Sequence, residues 1–272
     1  MRPRLGLALL LLALSGCLRC SPRALAPVNP EVFVERTVQV DGESYRYRVY
    51  LPLHYQRYRR WEPLRRWPVI LFLHGSGERG DDNQRQTQAG IGPALAKYRE
   101  RYRCLVVLPQ SRAGEGWAGA MERQALAALE QTIAELRGDR ERVYLTGVSL
   151  GGSGVWYMAA RYPHRFAAVA PMAAEVVPTG GDQAPADLAQ LLDGPDPYLS
   201  LARALGPAPV WAFHGADDKE VPVAETQRMV TALQALKHPV RYTEYFGMGH
   251  DCWDTAYADP AFVQWLFAQR LR

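Results

Sequence analysis

The 272-residue sequence is poor in several features that would decide a protein's class by themselves. Lysine is nearly absent, with only Lys97, Lys219 and Lys237. Charge of one sign is not in excess: 32 basic residues face 28 acidic ones, for a net +4. That excludes the strong one-signed field of a polyanion binder, so no nucleic-acid partner is expected. Cysteine is scarce, at four. With Cys17 set aside for reasons given below, Cys20, Cys104 and Cys252 form neither an even disulfide framework nor a Cys-x-x-Cys pair. No His-x-x-x-His pair occurs, so no compact metal site is signalled, and no metal or other cofactor is expected. Repeats and low-complexity tracts are missing, which excludes a solenoid or a disordered chain. Only one long apolar run exists, at the extreme N-terminus, and that excludes a multi-span membrane protein.

What is present suits a globular domain: 48% hydrophobic and 22% charged residues, in a length that one α/β domain can fill. Arg2 and Arg4 precede an apolar stretch, Leu5 to Leu14, which is too short to span a bilayer. Leu14-Ser15-Gly16-Cys17 follows and resembles the lipobox of bacterial lipoproteins, whose cysteine is acylated after cleavage just before it. An ordinary cleavage site, Ala24-Leu25-Ala26, lies too far along and is followed by Pro27. The resemblance implies a signal peptide at 1–16, a tether at 17–30 bearing Pro22, Pro27 and Pro30, and a domain at 31–272. It also implies export and a membrane anchor through lipidated Cys17. Leu18 in place of Asp points to the outer membrane where the cell has one. Loss of Arg2 and Arg4 leaves the processed chain near neutrality.

Residues 32–40 and 44–51 alternate, are rich in β-formers and are split by Asp41-Gly42, which predicts a hairpin. Continuous apolar runs then appear at 69–73, 104–109, 143–148, 166–172, 210–215 and 240–246, with helix-period segments near 90–101, 121–137, 152–162, 222–237 and 259–270. This alternation predicts an α/β fold: a mostly parallel eight-stranded sheet, an N-terminal antiparallel hairpin and helices on both faces. Residues 54–66, with Arg57, Arg59, Arg60, Arg65 and Arg66 among aromatics, read as a solvated loop whose Arg stems lie over rings. The Pro/Gly/Asp-rich stretch 175–200 reads as an insertion, either a small cap or a plain loop.

Chemistry is signalled at Gly147-Val148-Ser149-Leu150-Gly151, between a predicted strand and a predicted helix. A sharp strand-to-helix turn lifts a serine hydroxyl above the sheet edge, and small neighbours keep the turn free of clashes. Such a serine needs a base oriented by an acid, in chain order Ser, Asp or Glu, His. Asp217 and Asp218 follow one later strand, and His250 follows the next. Ser149 and His250 are therefore the candidate nucleophile and base, with either aspartate as the acid. Leu150 N–H, just after the nucleophile, is a candidate oxyanion donor. Cys252, two residues from His250, is a poor alternative nucleophile beside a well-placed serine.

These residues resemble the α/β-hydrolase superfamily, and within it the carboxylesterase/phospholipase and polyhydroxybutyrate-depolymerase-like esterases, often labelled predicted peptidases. The family pattern H-G-x-x-D-x-x-V-P falls on His214, Gly215, Asp218, Val221 and Pro222, which implies Asp218 as the acid and a structural His214. Residues 74–83 are similar to the family's H-G-x-G-E-R-G-D-D-N loop, which implies Ser76 N–H as the second oxyanion donor and His74 as a loop-orienting residue. Leu108-Pro109-Gln110 and the tail from His250 through Trp253 to Tyr257 also match. Trp117 and Trp253 are expected near a substrate pocket. The resemblance spans roughly residues 32–270 and implies hydrolysis of small-molecule or polymer-linked carboxylic esters through an acyl-enzyme. A serine peptidase or amidase of the same fold, and a non-catalytic surface-binding lipoprotein, are the alternatives. The lack of a gating domain and the complete triad argue against them.

Overall fold

A computed structural model describes residues 32–178 and 186–271. The expected signal peptide, Cys17, the tether and the middle of the 175–200 insertion lie outside the described residues. Strands β1 (Phe33–Val40) and β2 (Glu43–Tyr50) form the expected antiparallel hairpin. Its turn residues, Asp41 and Gly42, both have positive φ (51° and 82°), as a two-residue hairpin turn of matching twist requires.

The chain continues through α1 (Tyr55–Trp61), β3 (Trp67–Leu73), α2 (Ile91–Lys97), β4 (Leu105–Pro109), α3 (Ala120–Leu136) and β5 (Gly138–Val148). It then runs through α4 (Leu150–Arg161), β6 (Ala168–Met172), α5 (Ala186–Leu191), α6 (Pro197–Ala204), β7 (Val210–Gly215), α7 (Ala224–Ala235), β8 (Val240–Tyr245), α8 (Trp253–Ala258) and α9 (Pro260–Phe267). The sheet order is β1-β2-β4-β3-β5-β6-β7-β8. β2 runs antiparallel to β4, and every neighbouring pair from β4 through β3 to β8 is parallel.

The unbroken apolar runs have a simple physical origin. All seven residues of β3 are buried, because helices cover both faces. Val69, Leu71 and Leu73 join one core with Leu129 and Ile133 of α3 and Val155 of α4. Ile70 and Phe72 join the other with Leu95 of α2, Tyr257 of α8 and Phe262 of α9.

Two segments depart from expectation. Residues 54–66 are not a plain loop, because they contain α1. Tyr55 and Tyr58, one helical turn apart, both pack on Trp67, with ring centroids 5.9 and 5.7 Å away. Arg65 does lie over rings, 4.2 Å from Tyr58 and 4.5 Å from Trp67. The 175–200 insertion carries α5 and the first turn of α6. Asp196 caps α6 by accepting from the Tyr198 and Leu199 amides, with Pro197 at the first helical position.

Candidate active site

The parallel strands β3 to β8 end on one edge of the sheet, and the loops after them gather the chemistry. Ser149 sits between β5 and α4 with φ 53° and ψ −123°, outside the ordinary regions for a residue with a side chain. Its amide donates to Met172 O at 2.9 Å, which ties the turn to β6. The turn tolerates no bulk beside it. A Cβ on Gly147 would lie 2.5 Å from Gly151 O, and one on Gly151 would lie 2.0 Å from Leu73 O.

His250 reaches the turn from the loop after β8. Its Nε2 lies 2.9 Å from Ser149 Oγ, and its Nδ1 lies 2.7 Å from Asp218 Oδ2. Ser149, Asp218 and His250, far apart in sequence, form one hydrogen-bonded chain. Asp217 is exposed and its amide is spent on Met248 O, so the neighbouring carboxylate takes the position against the imidazole. Asp218 Oδ1 accepts from the Glu220 and Val221 amides, both at 2.9 Å. Burial pushes the Asp218 carboxyl up, but the hydrogen bonds from His250 and from those amides outweigh it and hold the group below the usual carboxylate range.

His214 is fully buried and braces the acid from behind. Its Nε2 is 3.1 Å from both Asp218 Oδ2 and Val221 O, and its Nδ1 is 2.7 Å from Thr226 Oγ1. Burial lowers its pKa, so it is neutral there. Nε2 faces two oxygens and carries the ring proton, while Nδ1 accepts from the Thr226 hydroxyl.

The loop after β3 lies against the serine. A Cβ on Gly75 would be 3.6 Å from Ser149 Cβ. Among the described residues, neither the Ser76 nor the Leu150 amide donates to another protein group, so both N–H groups are free to receive an anion. Behind them His74 is clamped. The Ser111 amide donates to its Nε2 at 2.9 Å, which leaves Nδ1–H to donate to Gly75 O at 2.7 Å. Burial pushes the His74 pKa down to about 4. Gln110 fixes the rest of the loop, accepting from Asn83 N and donating to Glu78 O and Asp82 Oδ1.

Both tryptophans pack against histidines of these loops. Trp117 is buried, donates its indole N–H to His74 O at 2.9 Å and stacks edge-on to His74 at 4.8 Å. It packs behind the loop after β3. Trp253 packs edge-on to His250 at 5.0 Å and fixes the plane of the imidazole. Cys252 is buried, and burial raises its pKa to about 12, so it stays a thiol. Glu220 is a residue the motifs do not mark. Its exposed carboxylate lies 3.7 Å from His250 Nε2, a proximity that no local spacing encodes. Among the described residues no cluster of side chains suits a metal.

Residues 39–251 match the Esterase family. No curated protein matches the chain. Among solved structures it is similar to a thermostable esterase, with a TM-score of 0.71 and 26% identity over 88% of this chain. The match spans 63% of that esterase's length. An S-formylglutathione hydrolase of Staphylococcus aureus gives a TM-score of 0.67 at 15% identity, over 86% of this chain and 98% of that one. A fluorophosphonate-binding serine hydrolase of the same organism, solved with substrate bound, gives 0.66 at 17% identity, over 88% of this chain and 99% of that one. At such identities these last two show a shared fold.

Proposed function

Since the chain belongs to the Esterase family, with an α/β-hydrolase fold, we propose that it hydrolyses carboxylic esters through an acyl-enzyme formed on Ser149. The observation that carries this reading is the continuous path from Asp218 Oδ2 through the two ring nitrogens of His250 to Ser149 Oγ, with contacts of 2.7 and 2.9 Å. His250 Nε2 takes the hydroxyl proton as Ser149 Oγ attacks the ester carbonyl carbon. Asp218, held ionised, accepts a hydrogen bond from the Nδ1–H of His250 and stabilises the imidazolium without taking its proton. The carbonyl oxygen becomes an oxyanion and receives the Ser76 and Leu150 N–H groups. Collapse of the tetrahedral intermediate breaks the bond to the alcohol oxygen, which His250 protonates as it leaves. Water then repeats the sequence on the acyl-enzyme, returning the acid and free Ser149.

The chain is tested against p-nitrophenyl esters of increasing acyl length, feruloyl esters and a peptide anilide. The reading expects ester turnover that exceeds anilide turnover, and labelling of Ser149 by a fluorophosphonate. Anilide cleavage matching ester cleavage would move the assignment to an amidase. No turnover and no labelling would leave a binding protein.

The same reading includes a lipid anchor at Cys17 and a place in the bacterial envelope, at the outer membrane where one exists. It rests on the order of Arg2 and Arg4, the short apolar run and the Leu14–Cys17 box. Cys17→Ser removes the acceptor thiol, so the protein should lose its acyl chains and its partition into detergent. A soluble wild-type chain beginning after Ala26 would overturn the anchor and leave the chemistry standing.

A further inference from the structure

The edge of the sheet opposite the catalytic loops carries an unusual surface. α1 packs where β3 and β5 begin: Tyr55 Oη donates to Leu136 O, Arg137 donates to Arg59 O, and Trp67 N donates to Arg137 O. Its outer side is basic. Arg57, Arg59, Arg60 and Arg66 are exposed, and none forms a salt bridge among the described residues. The single acid of the segment, Glu62, is occupied by Arg65 at 2.9 Å. Within this cationic ring stand Trp61, 70% exposed, and Leu64, 93% exposed. The guanidinium of Arg60 lies over the Trp61 indole at 5.1 Å. A recess of about 340 Å³ opens between His54, Arg57, Tyr58, Trp61 and Glu62.

Leaving such large apolar side chains in water amid guanidinium groups without salt bridges has no folding benefit, because neither Trp61 nor Leu64 covers the core. The combination suits one occupant. Trp and Leu insert at the boundary of headgroups and acyl chains, and arginines meet anionic phosphates there. The path of the chain supports the same occupant. The described structure begins at Val32, whose carbonyl accepts from Leu51 N, four residues before α1. The chain that bears Cys17 therefore enters the domain at Val32, at the same end of β2 from which the link to α1 departs. We infer that the α1 face is a docking surface for an anionic phospholipid bilayer, formed by Trp61, Leu64 and the four arginines that form no salt bridge. β3 separates this face from the Ser149 edge, so docking leaves the catalytic loops turned away from the bilayer. The patch needs neither the ester reading nor acylation of Cys17. Ester assays and the mass of the N-terminal peptide report those separately.

Tryptophan fluorescence tests the docking. Trp61 is the most exposed of the seven tryptophans, and residues 1–31 contain none. The purified full chain is mixed with vesicles of phosphatidylcholine and phosphatidylglycerol whose acyl chains carry bromine, a contact quencher. The expected result is quenching in the wild type that Trp61→Ser abolishes. It should weaken several-fold at high salt, in pure phosphatidylcholine, and when Arg57, Arg59, Arg60 and Arg66 are all changed to serine. Turnover by the Trp61→Ser chain should be unchanged, which checks that it folds. Absent quenching, or equal quenching in both chains, would overturn the proposal. So would a concentration-dependent dimer lost in Trp61→Ser without quenching, which would assign the face to a second copy of the chain.

Discussion

At Ser149 the backbone adopts a conformation that costs a residue with a side chain about 1–3 kcal/mol, and the folded sheet holds it there. Ser149→Ala keeps that backbone and removes only the hydroxyl. Hydrolysis by the variant should fall by on the order of 10³-fold or more in kcat while its thermal unfolding stays near wild type. Asp218→Asn should be nearly as damaging, because an amide no longer stabilises the imidazolium. Asp217→Asn, at an exposed side chain, should leave kcat within a few-fold of wild type. Similar losses in the two asparagine variants would move the acid off Asp218. Gly151→Ala tests the turn by another route. Its methyl would meet the Leu73 carbonyl oxygen at 2.0 Å, against backbone that cannot step aside. A loss on the order of 3 kcal/mol, read from the urea midpoint, is expected.

Among the elements, the insertion after β6 is fastened by one buried acid. Glu225 on α7 accepts from the Val176 and Val177 amides at 2.9 and 3.1 Å and from Tyr198 Oη at 2.6 Å. Glu225→Ala leaves those donors without a partner, at a cost on the order of 3 kcal/mol. Hydrogen exchange should accelerate first at Val176 and Val177, ahead of the sheet amides. Exchange that rises uniformly would show that the clasp is not local. β1 and β2 were legible as an alternating pair split by Asp41-Gly42, the later strands as continuous apolar runs, and α2, α3, α4, α7 and α9 through their helical period. α1, α5, α6 and α8, six to eight residues long, were not legible: α1 lies in an Arg-rich segment and α5 and α6 in a Pro/Gly/Asp-rich one, where no apolar period stands out. α1 exists because Tyr55 and Tyr58 dock on Trp67, and that contact is tertiary. The order of Ser149, Asp218 and His250 was likewise readable because each follows its own strand. Glu220 beside His250, and the clasp at Glu225, join distant loops and leave no local pattern. Trp117 illustrates the converse. Its position after β4 is readable, but which way the ring faces depends on its close approach to Gly154, where an added Cβ would lie 2.5 Å from Trp117 Cβ.

For the molecule as a whole, stability should depend on pH through buried histidines. Burial lowers the pKa of His74, to about 4, and also lowers those of His214 and His238. The unfolded chain protonates histidine near pH 6.5, while the folded chain resists until lower pH. The unfolded state therefore binds more protons in that window, and stability falls as the pH drops from about 6.5 toward 4. His74 alone accounts for roughly 3 kcal/mol of that loss. Asp218 adds to it at lower pH, since its depressed pKa gives stability that is present above the ordinary carboxylate range and lost as the pH falls through the folded value. Glu78 works in the opposite sense, because burial raises its pKa and its contribution fades as the pH rises. Thermal scans between pH 7 and 4 should show a monotonic fall in Tm. A flat profile would mean that the histidines protonate without disrupting their hydrogen bonds.

Asp218 Oδ2 receives two imidazoles, His250 at 2.7 Å and His214 at 3.1 Å. Two ring protons then point at one carboxylate oxygen, sheltered from exchange with solvent. In a proton magnetic resonance spectrum each should appear far downfield of the amide envelope. The His250 signal should move when a fluorophosphonate caps Ser149, whereas that of His214 should stay nearly fixed. The protein thus carries an internal spectral reference beside the proton that its chemistry displaces.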